Sequence, residues 1–381
     1  MKIQIDGVNT QNKGAELMLV SVLEEIEKRM PEAEIFINPD SKLNLDLLPN
    51  YSLKIKKRPG IEIGRLINSV FYKLNLKQPL NYFKENYSSK KIDVILDASG
   101  FKYSDQWNRT NEWLDSKEQY YVRAKKNKTK IFFLTQAFGP FKTKEGKRSV
   151  EILGNYCDII FAREEKSYEH LINSNIDPEK VKISCDFTFK VSGIIPSKYE
   201  HLKNGIAIIP NKKMITHGSN NSNNYLNLFM RLIDSFKDKN EKVFLLNHEG
   251  KGDNLICELI NSKLEEQLEI VSNCAAKEIK GIIGNSKITV SSRFHGVASS
   301  LIQGVPCLAT SWNHKYEMLF KLFDQKDCII HSNEDFHISL QKLNNIYENY
   351  NLRRIDIENK KPELVAKINN MWDIIFVNLS K

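Results

Sequence analysis

The sequence predicts an α/β protein made of two doubly wound domains in tandem, with helices at its C-terminal end. Three observations predict this. Short apolar runs alternate with stretches of helical apolar period. Most of those runs are uniformly apolar rather than alternating, as parallel strands covered on both faces must be. The alternation breaks once, at residues 190–204, where Gly193, Pro196, Ser197 and several charges read as a linker, and then resumes.

In the first series, a strand at 3–6 precedes a helix at 15–30, where Leu17, Leu19, Val20, Leu23 and Ile26 form the buried stripe. Strands follow at 34–38, 52–56, 93–97, 130–135 and 158–161. In the second series, strands fall at 205–210, 242–246, 268–271, 287–290 and 306–309. Helices at 225–239, 254–264, 276–284, 296–303 and 314–323 lie between or after them. Residues 336–350 and 362–379 read as terminal helices. The domains are therefore placed at 1–195 and 205–335, with terminal helices over 336–381.

A chain of 381 residues is too long for one ordinary core, in keeping with two domains. Hydrophobic content of 41% and charged content of 27% fit a globular protein. The net charge of +9 is spread along the chain, which argues against a nucleic-acid binder and leaves a solvated basic surface or attraction to anions. The six cysteines (Cys157, Cys185, Cys257, Cys274, Cys307, Cys328) show no metal or disulfide spacing and read as reduced core residues. Neither a signal-peptide pattern nor a membrane-length apolar run is present, so the expected location is cytoplasmic or peripheral to the inner membrane face.

Ligands of doubly wound domains bind where strands turn into helices. The richest such turn is Ser291-Ser292-Arg293-Phe294-His295, after the strand Ile288-Thr289-Val290. A helix N-terminus attracts anions, Arg293 adds a bidentate fork, and His295 a titratable proton. Lys315 and His314 lie one helix later. Four further turns carry polar groups. Residues 7–14 (GVNTQNKG) are rich in Gly and Asn; Asn12 sits near a helix start, and Glu16 either complements the helix dipole or serves as a base. The spacing fits neither a dinucleotide fingerprint nor a P-loop, so no nicotinamide cofactor is expected. Residues 97–100 (DASG) offer Ser99 and Gly100, and an aromatic segment follows: Tyr103, Trp107, Trp113, Tyr120 and Tyr121. Core packing is the common fate of such rings, with Trp107 placed to stack on a sugar. Residues 135–141 (TQAFGPF) offer Gln136. At 161–167 (FAREEKS), Arg163 either pairs with Asp158, Glu164 or Glu165 or meets an anion. The histidines are scattered, so no metal site is expected.

Taken together, the pieces NTQNKGAELMLVSVL (9–23), VILDASG (94–100), TQAFGPF (135–141), FAREEKSYEHL (161–171), CDFTF (185–189) and SSRFHGVASSLIQGVPCLATSWNHKYEML (291–319) resemble the polysaccharide pyruvyl transferase family, in that family's order. The resemblance implies two Rossmann-like domains arranged as in GT-B glycosyltransferases. It implies transfer of a pyruvyl group from phosphoenolpyruvate to a sugar diol, making a cyclic ketal and releasing phosphate. The first loop departs from the Gly-Asp-Glu of many members and reads Lys13-Gly14-Ala15-Glu16, as in exopolysaccharide-type members; residues 51–87 do not align.

On this reading His295 is the general acid, acting with Arg293. Arg163, Arg293, Lys315 and Ser292 hold the donor; Asn12, Gly14, Glu16, Ser99, Gly100, Gln136 and Trp107 face the acceptor, a sugar or lipid-linked oligosaccharide. Phosphoenolpyruvate is a co-substrate; neither a resident cofactor nor a nucleic-acid partner is expected. Two other readings compete: a sugar-nucleotide-dependent GT-B glycosyltransferase, and a non-catalytic binder of acidic glycans.

Overall fold

The computed structural model describes residues 1–38, 41, 43, 55–57, 92–216, 222–311, 314–331 and 334–379. Most of the unaligned stretch 51–87 therefore lies outside the described residues, as do the side chains of His314 and its neighbours at 311–313. The chain forms two compact units: Met1–Asn9, Met18–Phe187 and Asn370–Lys381 make the first, Thr10–Leu17 and Thr188–Asn369 the second.

The first unit holds strands β1 (Lys2–Asp6), β2 (Glu34–Ile37), β3 (Ile55–Lys57), β4 (Val94–Asp97), β5 (Lys130–Gln136), β6 (Ile159–Ala162) and β7 (Val181–Ile183). They form one parallel sheet in the order β3-β2-β1-β4-β5-β6-β7. Helix α1 (Lys13–Arg29) follows β1, and α2 (Asn111–Lys126), α3 (Lys144–Tyr156) and α4 (Glu165–Ile172) connect the later strands. Every residue of β4 and β6 is buried, the consequence of helices on both faces. Of the aromatic segment, Tyr103 and Tyr121 are core, their hydroxyls 2.8 Å apart, while Trp107 is exposed.

The second unit repeats the plan with β8 (Ile206–Ile209), β9 (Val243–Leu246), β10 (Ile270–Val271), β11 (Ile288–Ser291), β12 (Cys307–Ser311) and β13 (Ile329–His331), ordered β10-β9-β8-β11-β12-β13 and all parallel. Its helices are α5 (Ser222–Lys237), α6 (Gly250–Asn261), α7 (Ala276–Gly284), α8 (Phe294–Ile302), α9 (His314–Leu322) and α10 (Phe336–Glu348), with a short helical turn at Lys212–Thr216. In each sheet the winding direction reverses between the first strand and the fourth: at β1/β4 in the first and β8/β11 in the second. Such switch points open a crevice at the strands' carboxyl ends.

The fold class is as the sequence predicts, and three details differ. The outer strands β7 and β13 are extra; each is only three residues long, too short for a period to register. The second terminal helix is longer than expected: α11 runs from Tyr350 to Leu379, with Pro362 inside it on an exposed stretch. From Asn370 onward that helix belongs to the first unit, where Trp372 is fully buried and meets Phe187 edge-on at 6.3 Å. All six cysteines are free and buried. No helix among the described residues is long and apolar enough to cross a membrane.

Candidate active site

In the second unit, three neighbouring strand ends supply the switch point. The turn after β8 brings Asn211, Lys212 and Lys213; that after β9 brings Asn247, His248 and Glu249; that after β11 brings Ser292, Arg293 and His295. The segment Thr10–Leu17 joins the same unit, so Asn12, Gly14 and Glu16 belong to the unit of His295. A Cβ added to Gly14 would stand 2.1 Å from His295 Nδ1, so the imidazole lies directly against the Gly14 backbone. No other residue leaves that space.

Arg293 is 8% exposed and its fork is already engaged. Nη2 donates to Asp253 Oδ1 at 2.5 Å, Nη1 pairs with Glu249, and buried Nε has no partner. Burial works against these charges, pushing Asp253 up to about 7 and Arg293 down to about 10, whereas their contact favours both. The expected direct grip of Arg293 on a donor would have to involve a guanidinium that already meets two carboxylates, Glu249 and Asp253. Lys213, drawn down by burial and by Arg293, is a second cation there. His248 was not foreseen. It is 4% exposed, and burial together with Arg293, His295 and Lys13 holds it well below the usual histidine range. Its sequence signal was a polar turn with histidine directly after an apolar strand, the same pattern that marked His295.

Helix termini add to the field. Neither Glu249 at the head of α6 nor Arg293 at the head of α8 caps its helix with a side chain.

Other expected residues prove to be framework. Ser292 is fully buried; its hydroxyl meets Tyr225 at 2.7 Å and Thr310 at 2.6 Å, and its carbonyl accepts from Asn211 and Tyr316. Asn12 accepts from the Gly14 and Ala15 amides, capping α1. Glu16 has contacts within the unit: its carboxylate accepts the Ala276 amide at 2.7 Å, heading α7, and pairs with Lys13 at 2.6 Å. Lys315 lies over the Phe294 ring at 5.3 Å, beside this turn.

The first unit gathers a different set at β1/β4. Asp97 is buried, accepts the Ser99 amide at 3.0 Å and pairs with Lys102 at 2.9 Å. Burial would raise its pKa; Lys102 and the Ser99 hydrogen bonds outweigh that and lower it. Asp6 accepts from Gln4, Asn38 and Tyr120. Gln136 donates weakly to Asp97 and keeps a buried Oε1 without a partner. Gly7, at φ +78°, lets the first loop touch Ser99. Gly100 closes this turn. Arg163 is 6% exposed and pairs with Asp186 at 3.6 Å. Trp107 stands apart, edge-on to Phe101 at 5.7 Å and facing Arg109. Among the described residues no group of three or more His, Cys, Asp or Glu is arranged to hold a metal.

The family profile of polysaccharide pyruvyl transferases matches residues 12–314. The chain belongs to the polysaccharide pyruvyl transferase family. A search of curated proteins finds no match. Among solved structures, this transferase-family chain is similar to Anabaena HepE in complex with UDP-glucose (TM-score 0.62, 12% identity, covering 100% of this chain and 99% of that one). It is also similar to UDP-GlcNAc 2-epimerase from Neisseria meningitidis bound to UDP-GlcNAc (0.60, 12%, 100% of each chain) and to the S. aureus MnaA–UDP structure (0.60, 14%, 94% and 91%). At such identities the likeness establishes the two-domain α/β fold of GT-B-type enzymes.

Proposed function

We propose that this pyruvyl transferase family member uses phosphoenolpyruvate as donor and a sugar diol as acceptor, forming a cyclic ketal and releasing phosphate. The observation that carries the reading is the β8/β11 switch point, where Arg293, Lys213, His248, His295 and two uncapped helix ends converge. A donor with a carboxylate and a phosphate suits such a field. His295 is the proton donor to the methylene carbon, seated by Gly14; a positioned acid supplies roughly 10²–10⁴-fold in rate. As that C–H bond forms, the first sugar hydroxyl attacks the adjacent carbon. The second hydroxyl then displaces phosphate as the C–O bond breaks. One hydroxyl proton restores His295 and the other leaves with phosphate. We assign Ser99, Gly100 and Gln136 to sugar hydroxyls, on the strength of the polar β1/β4 turn.

A sugar-nucleotide donor is the competing reading, favoured by the fold's likeness to proteins solved with UDP or UDP-sugars. Incubation with phosphoenolpyruvate and a panel of glycosides separates the two. The proposal expects phosphate release that depends on acceptor, and a product heavier by pyruvic acid less one water. Turnover of UDP-glucose or UDP-GlcNAc with none of phosphoenolpyruvate would reverse it.

A further inference from the structure

Ketal formation liberates two hydroxyl protons and needs two protons delivered, one to carbon and one to phosphate. His295 accounts for the first delivery. The second passes from the second hydroxyl to phosphate with no residue yet named to carry it, and the same turn cluster contains a second histidine, His248, whose buried Nδ1 has no hydrogen-bond partner.

His248 leaves β9 on the strand adjacent to β8, and is buried with no hydrogen-bond partner of acceptable geometry for Nδ1. A buried, unsatisfied ring nitrogen is costly and calls for an explanation. The charges around it are lopsided. Arg293 and His295 from the head of α8 and Lys13 from the 10–17 segment all oppose its protonation. The two nearby carboxylates, Glu249 and Asp253, are both turned to Arg293, and Lys213 adds positive charge beside Asp253. Burial and those cations keep His248 neutral, and an anion placed among them removes the reason.

We propose that His248 is a second proton-transfer residue: it takes a proton from solvent when an anionic donor binds beside it, and hands that proton to the departing phosphate. This rests on the phosphoenolpyruvate reading above. As the carbon–oxygen bond breaks, its electron pair goes to the bridging phosphate oxygen, which takes the His248 proton. The second sugar hydroxyl, losing its proton as it bonds to carbon, restores His248. His295 gives its proton to the methylene carbon and regains one from the first hydroxyl, so atoms and charge balance.

The test needs no acceptor. Phosphoenolpyruvate binding is measured by calorimetry at pH 7.5 in two buffers of different ionisation enthalpy. Wild-type protein takes up about half to one proton per donor bound. His248→Asn, which keeps a polar atom near the Nδ1 position, still binds the donor, weaker by about two- to tenfold as loss of the linked proton requires, and loses most of that uptake, whereas His295→Asn retains it. Undiminished uptake in a folded His248→Asn protein overturns the proposal, and so does an absence of uptake in wild type whatever the variant's fate. If phosphoenolpyruvate does not bind wild type at all while UDP-glucose does, the donor reading itself fails and takes this role with it.

Discussion

The two switch points share a topology and differ in charge. At β1/β4 the carboxylates are held within the unit: Asp97 by Lys102 and Ser99, Asp6 by Gln4, Asn38 and Tyr120. The helices around it are capped by their own side chains, Thr110 for α2, Thr143 for α3 and Glu164 for α4. At β8/β11, α6 and α8 are not, and cations and imidazoles cluster at their heads. The winding of a doubly wound sheet decides where a site can be; capping and charge distinguish the two places, and the proposed donor follows that difference.

The sharpest way to break that contrast is at His295. His295→Gln should lower turnover by roughly 10²–10⁴-fold with an unchanged circular-dichroism melt; activity within a few-fold of wild type would remove the acid from the second unit. Next are the buried ion pairs. Arg293→Ala leaves Glu249 and Asp253 without their counter-ion and should cost about 3–5 kcal/mol of stability in urea unfolding. A fully stable Arg293→Ala protein with weakened donor binding would instead restore the fork to the ligand.

The glycines compare the two sites directly. Gly14→Ala pushes a methyl into the His295 ring and should cut activity by about 10²-fold through misplacement while the melt moves little. Gly7→Ala, at positive φ with the Ser99 backbone nitrogen 2.8 Å from the new Cβ, should lower stability by about 1–3 kcal/mol.

The titrations should also separate. His248 and Asp97 are both depressed in the folded protein, so each contributes stability that is lost as pH falls below its unfolded value. For His248 that loss begins near pH 6.5 and for Asp97 only near pH 4. His248→Gln should therefore flatten the melting-temperature profile between about pH 6.5 and 5, and Asp97→Asn should leave that window unchanged. The smallest effect is expected at the exposed Trp107, where Trp107→Ala should change stability by no more than about 0.5 kcal/mol.

Residue pattern carried the architecture because parallel strands buried on both faces announce themselves as apolar runs, as in β4 and β6. It also located Arg293 and His295, which stand directly after such a run. What it could not carry was partnership across sequence distance. Glu16 reads as a first-turn acid until its contact with Ala276, 260 residues away, gives it a structural task. Asp253 and Glu249 lie some 40 residues before Arg293 and turn an apparent ligand fork into a locked one. Ser292 looked like a donor contact because its burial among Tyr225, Thr310 and Tyr316 has no local signature.

The contrast between the switch points is tested most directly by hydrogen exchange read by mass spectrometry, with and without phosphoenolpyruvate. Protection of the turns at 210–213, 247–250 and 292–295, with those at 97–100 and 135–139 unchanged, is the predicted result. Protection confined to the first unit's turns would contradict it.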